Sequence, residues 1–139
     1  MGAFSALAAL QLPVQLHGIQ LARPTDLLLD LTASHVLGFV VRCGDESVRF
    51  LPYGAAQARE DEIAVQSALM LLEDIAFYEQ RGVSLRSLLG VDVDGRGPLR
   101  DVVFDVRGRI EAYEIGDGAR ARRIPADGVD LVPRRASAA

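Results

Sequence analysis

One stretch of this chain is written twice, and that duplication constrains the fold more than any other feature. Asp26-Leu27-Leu28-Leu29-Asp30 returns 75 positions later as Asp101-Val102-Val103-Phe104-Asp105. Each block is followed by a polar break and a second apolar run, Val36 to Val41 in the first copy and Ile110 to Ile115 in the second. A third match closes each unit, where Arg49-Phe50-Leu51-Pro52 aligns with Arg122-Arg123-Ile124-Pro125 at an offset of 73. Three blocks in fixed order, with drift confined to turns, mark a repeated structural unit.

Within a unit the pattern is that of short antiparallel strands. Arg107-Gly108 and Gly116-Asp117-Gly118 separate apolar runs and supply the positive φ that tight turns need. The runs Leu27 to Leu29 and Val102 to Phe104 are apolar at every position, which suits strands covered on both faces, as in a small closed or half-closed barrel. Pro52 and Pro125 end strands, because proline cannot donate to a ladder. The expected fold is therefore mainly β with a short helical connector, two small antiparallel β units packed as one body.

Between the copies the character changes. Ser67 to Arg81 reads as a helix with Ser67 as N-cap, Leu69, Leu72, Ile75 and Ala76 on one face, Gly82 as a stop and a break near Asp74. Ser84 to Gly90 reads as one further helical turn leading into a strand at Val91 to Val93. So apolar a connector is expected to pack across both units. The boundaries that follow are an N-terminal helix or arm over 1–13, a first unit over 14–66, the connector over 67–87, a second unit over 88–133 and a disordered tail over 134–139.

The stretch Met1 to Leu12 is apolar but lacks the basic start of a signal peptide and is too short to span a bilayer. Cys43 is the only cysteine, so no disulfide forms within the chain, and a reducing cytoplasm is the expected setting. All 15 cations are arginine, a bias expected of a GC-rich genome rather than of folding physics. The net charge of −4 is unevenly spread: residues 1–80 hold four arginines against ten acids, and residues 81–139 hold eleven against nine.

No motif carries chemistry. Asp26 with Asp30, and Asp101 with Asp105, could in principle work as acid and base or hold a cation. Each pair borders a turn, however, where aspartate commonly accepts from backbone N–H groups, so both are read as structural. Asp92-Val93-Asp94-Gly95-Arg96-Gly97 fails as a calcium loop because Arg96 and Val103 stand where ligands are required. His17 and His35 offer no metal-ligand spacing, and His35 is expected to be solvated in a turn. No serine sits in a Gly-x-Ser-x-Gly elbow. The expectation is a protein that is not an enzyme and holds no metal or cofactor.

The second copy, Leu88-Leu89-Gly90-Val91-Asp92-Val93-Asp94-Gly95 through Asp101-Val102-Val103-Phe104-Asp105 to Ile115, resembles the PRC-barrel pattern of a Leu-Gly strand, a glycine turn, a strand ending in aspartate and a hairpin. The first copy follows it from about Gly18 to Val65, with His17-Gly18 and Ala22-Arg23-Pro24 in place of the Leu-Gly signature and the Asp-Gly turn. The family includes the cytoplasmic domain of the photosynthetic reaction centre H subunit and the C-terminal domain of a ribosome maturation factor. The resemblance implies a non-enzymatic protein-interaction or assembly module, with RNA or ribosome association and docking to a membrane complex as its rivals. Asp26, Asp30, Pro52, Asp101, Asp105 and Pro125 are its repeat-signature positions. Phe4, Leu7 and Leu10 are the expected contacts of an apolar arm with a partner or with a second copy in a homodimer. Arg120, Arg122 and Arg123, with Arg134 and Arg135 beyond them, are the candidates for an acidic partner, nucleic acid being the lesser expectation.

Overall fold

The two apolar runs expected to be covered on both faces are so: Leu27, Leu28 and Leu29, like Val102, Val103 and Phe104, are all buried. The structure is a computed structural model that describes residues 3–131. The proposed tail over 134–139, with Arg134 and Arg135, lies outside the described residues. The protein is mainly β, two sheets packed together with a few short helices.

In chain order the elements are β1 (Phe4–Ser5), α1 (Ala6–Ala9), β2 (Val14–Leu16), β3 (Ile19–Asp30), β4 (His35–Cys43), β5 (Val48–Pro52), β6 (Gln57–Ala58) and β7 (Ile63–Ala64). They continue with α2 (Ile75–Glu79), β8 (Val83–Ser84), α3 (Leu85–Leu88), β9 (Leu99–Phe104), β10 (Ile110–Ile115) and β11 (Arg122–Pro125). One sheet has the order β1-β9-β10-β11; the other has the order β5-β4-β3-β2-β7-β6, with β8 alongside β3. Each sheet runs from end to end rather than around a ring. One core joins them, drawing Leu27, Leu29, Phe39 and Leu51 from the first half and Leu99, Val102, Phe104 and Ile115 from the second.

The pairing explains why the residues of the two similar runs are what they are. Leu27 opposes Phe39 and Leu28 opposes Gly38; Val102 opposes Tyr113 and Val103 opposes Ala112. Outside them, Leu51 opposes Phe39 as Ile124 opposes Tyr113. Both ladders also slip at the same place, between Leu28 and Leu29 and between Val103 and Phe104. Such a bulge bends the strand and raises its local twist. The entry turns match too: His17 and Gly18 both have positive φ, as do Asp94 and Gly95, the backbone of a two-residue hairpin.

The hairpin tips β3–β4 and β9–β10 meet head to head. Val36 N–H donates to Gly108 O at 2.7 Å and Ile110 N–H donates to Ser34 O at 2.8 Å. His35 and Arg109 form the bridge between them, and His35 Nε2 lies 2.8 Å from Arg107 O. His35 is thus a joint between the halves, half-buried against the Tyr53 ring, and not the solvated turn residue expected.

The connector is broken near Asp74, as expected, but only the part after the break is α-helical. Ala68–Met70 form a 3₁₀ turn capped by Ser67, and α2 is a separate helix capped by Asp74. Between them Leu72 exchanges two backbone hydrogen bonds with Phe50, each 2.8 Å. A backbone that pairs with a strand edge cannot also complete helical bonds, so the helix breaks there. Leu69 and Ala76 are exposed rather than on a buried face. The connector packs on β5, with Tyr78 stacked on Phe50 at 4.1 Å. Val91 to Val93 is reduced to an isolated bridge, Asp92 to Pro98.

Candidate functional site

The halves hold each other through two carboxylates. Asp101 is the charged residue that is buried among the described residues, 8% exposed. Its Oδ1 accepts from Leu7 N–H at 3.0 Å and Val102 N–H at 2.8 Å, and its Oδ2 accepts from Ser5 Oγ. Asp26 repeats the arrangement: Oδ1 accepts from Leu27 N–H at 2.8 Å and Arg86 N–H at 3.2 Å, and Oδ2 from Ser84 Oγ. Ser5 and Ser84 are in turn the N-caps of α1 and α3. Each carboxylate therefore sits at the open start of a helical turn, where unsatisfied N–H groups and a partial positive charge gather.

The exchange is reciprocal. The arm that precedes the first half pairs with β9 of the second, with Phe4 opposite Phe104 and Ser5 opposite Val103. The arm that precedes β9 pairs with β3 of the first, with Val83 opposite Leu29 and Ser84 opposite Leu28. Phe4, Leu7 and Leu10, expected to contact a partner or a second copy, are thus used within the chain. Leu10 is buried, Leu7 packs on the core half-buried, and Phe4 stacks on Phe104 at 5.6 Å. Ser5 and Ser84 were missed, although Phe4-Ser5-Ala6-Leu7 and Val83-Ser84-Leu85-Arg86 share an apolar-serine start that places a cap.

Asp30, Asp105, Pro52 and Pro125 act locally. Asp30 accepts from Ala33 N–H at 3.0 Å, and Asp105 accepts from Arg107 N–H at 2.8 Å and Arg109 N–H at 2.9 Å. Pro52 and Pro125 close β5 and β11 as expected. No group of three or more potential metal ligands gathers among the described residues.

Tyr53 crosses between the halves. Its hydroxyl donates to Val106 O at 3.0 Å and approaches Asp105 O at 3.3 Å, and burial, with the Asp105 charge second, pushes its pKa up to about 12. The folded state thus keeps a proton that the unfolded chain releases near 10. Stability contributed by the neutral phenol is complete below that pH and is lost as pH rises toward about 12. Burial also raises the pKa of Tyr113 and adds a contribution of the same sign. Urea midpoints should fall over this window, and Tyr53→Phe should flatten the fall while costing about 1 kcal/mol at neutral pH.

Three arginines line a groove of about 800 Å³ beside Gly97, Pro98, Gly116, Asp117 and Ala119. They are Arg96, Arg120 and Arg122, the first of which was not anticipated. Arg123 points elsewhere, to Glu114 at 2.7 Å. On the opposite half the connector exposes Leu69 at 86% and Phe77 at 42%, along a second groove that also includes Leu72 and Tyr78. Cys43 is half-buried in a shallow apolar depression with Leu21, Ala22 and Pro24. No helix among the described residues is long and apolar enough to cross a membrane.

A scan against protein-family models finds no family that matches this chain, and a search of curated proteins finds no matching relative.

Proposed function

We propose that this chain is a cytoplasmic, non-enzymatic interaction module made of two tandem PRC-barrel-like units over 14–66 and 88–133, bridged by the connector over 67–87. The matching registers, the shared bulge position and the reciprocal serine–aspartate docking support descent of both halves from one unit. The observation that carries the binding role is the apolar surface of the connector, where Leu69 and Phe77 stand exposed beside Leu72 and Tyr78. Exposed large apolar side chains gathered in one groove mark a surface that a partner covers.

The test is capture of partners by the tagged full chain, followed by reconstitution of the binary complex from purified components. Leu69→Asp should leave stability within about 0.5 kcal/mol, since the side chain touches little of the core. It should weaken the reconstituted complex by at least tenfold, as loss of a central apolar contact does. Unchanged affinity would remove the connector from the interface. No complex that survives reconstitution would remove the module reading itself.

The arginine-lined groove favours RNA as a second reading, since Arg96, Arg120 and Arg122 flank glycine backbone that a phosphate could approach closely. On that reading affinity for single-stranded RNA falls steeply with salt, and Arg120→Ala flattens the slope.

A further inference from the structure

The ends of the two sheets differ in one respect. In the first half the outer edge of β5 is covered: Phe50 exchanges two backbone hydrogen bonds with Leu72, and Arg49 Nη1 lies 3.2 Å from Glu73 Oε1. A Leu-Glu pair thus reads a strand edge and its arginine together. In the second half β11 occupies the same position at the end of its sheet. Arg122 opposes Ile115 as Arg49 opposes Val41, and Arg123 opposes Glu114 as Phe50 opposes Val40. Yet among the described residues β11 is the last strand of its sheet, and Arg122 has no carboxylate within ion-pair distance.

We infer that the outer edge of β11, Arg122–Pro125, is the docking site for an extended, acidic segment of a partner protein, which adds as a strand and sets a Leu-Glu pair against Arg123 and Arg122. The inference rests on the interaction-module reading and deepens it by naming the edge and the chemistry of its occupant. The shared register turns the N–H and C=O of Arg123 outward, as it does those of Phe50. Pro125, two residues on, then also faces outward, where its lack of an N–H costs no bond within the sheet.

The sign of the surface selects the occupant. Arg120 and Arg122, with Arg96 across the adjoining groove, face Asp117 as the single acid lining it. A second copy pairing antiparallel, edge to edge and centred on Arg123, would set that arginine against its own counterpart, with Arg122 of both copies close by, and like charges across strands repel. The chain's own last residues carry Arg134 and Arg135 and no acid, again the wrong sign. An acidic extended segment gains main-chain hydrogen bonds from the edge and charge complementarity from the arginines.

The probe is a fluorescent peptide copying Ser67–Ala76, which holds the Leu72-Glu73 pair, added to the full chain. Saturable binding is expected, with amide shifts at Arg122, Arg123, Ile124 and Ala126 in a two-dimensional NMR spectrum. Arg122→Glu should weaken binding about tenfold, since it exchanges an attraction for a repulsion at an exposed pair. N-methylation of the peptide at the Leu72 position should abolish binding with every side chain intact, because an added strand needs that N–H.

No binding, undiminished binding of the N-methylated peptide, or shifts confined to β5 would overturn the proposal. So would an RNA oligonucleotide that reproduces the shifts where the peptide gives none. A reconstituted partner that binds Arg122→Glu as tightly as the unsubstituted chain would also remove this edge, while leaving the interaction-module reading in place.

Discussion

Asp101→Ala is expected to cost about 3 kcal/mol, since it strands donors that have no other partner, and each buried donor left unpaired costs roughly 1–3 kcal/mol. The donors are Ser5 Oγ and the N–H groups of Leu7 and Val102, all gathered on one buried carboxylate. Because two of them belong to the arm, the substitution also loosens β1 and α1 from β9. Ser5→Ala should cost about 1 kcal/mol as a lost cap. The pair should show a coupling of more than about 0.5 kcal/mol in a double-mutant cycle, as residues in direct contact do. Asp26→Ala should cost less, because its Arg86 donor is exposed and water can replace the carboxylate. Urea midpoints at constant slope measure all four. A loss below about 0.5 kcal/mol for Asp101→Ala, the range of an ordinary surface change, would mean that the arm is not held by this carboxylate.

Local chemistry was legible wherever a residue's role is settled by its neighbours in sequence. The strands at Leu27 to Leu29 and Val102 to Phe104 announced themselves because burial on both faces leaves no polar position. Pro52 and Pro125 marked strand ends for the same local reason. The role of Asp26 and Asp101 was right in kind, accepting backbone N–H groups, but four of their six donors, two serine hydroxyls and two N–H groups, come from 58 to 96 residues away. No spacing rule reaches that far. The sequence similarity of the two halves could have reached it, because Ser5 and Ser84 lie 79 positions apart, close to the 75 that separate the aspartates.

The connector failed for a different reason. Its leucine spacing and its two caps, Ser67 and Asp74, are those of helical sequence, and both caps do start helical turns. What intervened was a tertiary claim on the backbone, since Leu72 satisfies the outer edge of β5 instead of continuing the helix. Periodicity reports which side chains share a face, not which backbone groups are already engaged. The same limit hid the difference at β11, which among the described residues has no strand beyond it, a contrast visible only by comparing the two sheet ends.

The exchange of arms makes one residue decisive for both halves. Phe104 is fully buried, stacks on Phe4 of the arm, and meets the Tyr53 ring edge-on at 5.8 Å. Through Tyr53 it is tied to Phe39 and to the hairpin tip at Val106. Phe104→Ala should therefore cost about 4 kcal/mol, a buried aromatic lost together with the cavity it leaves. Phe104→Leu keeps most of the volume and should cost about 1 kcal/mol. The position of the damage is as informative as its size. Native-state hydrogen exchange should quicken first at Leu7, whose N–H is held on Asp101 beside the new cavity, and less at Arg86 on the opposite arm. If the two amides instead quicken together to the global rate, the arms do not open separately, and the chain unfolds as one cooperative exchange of its halves.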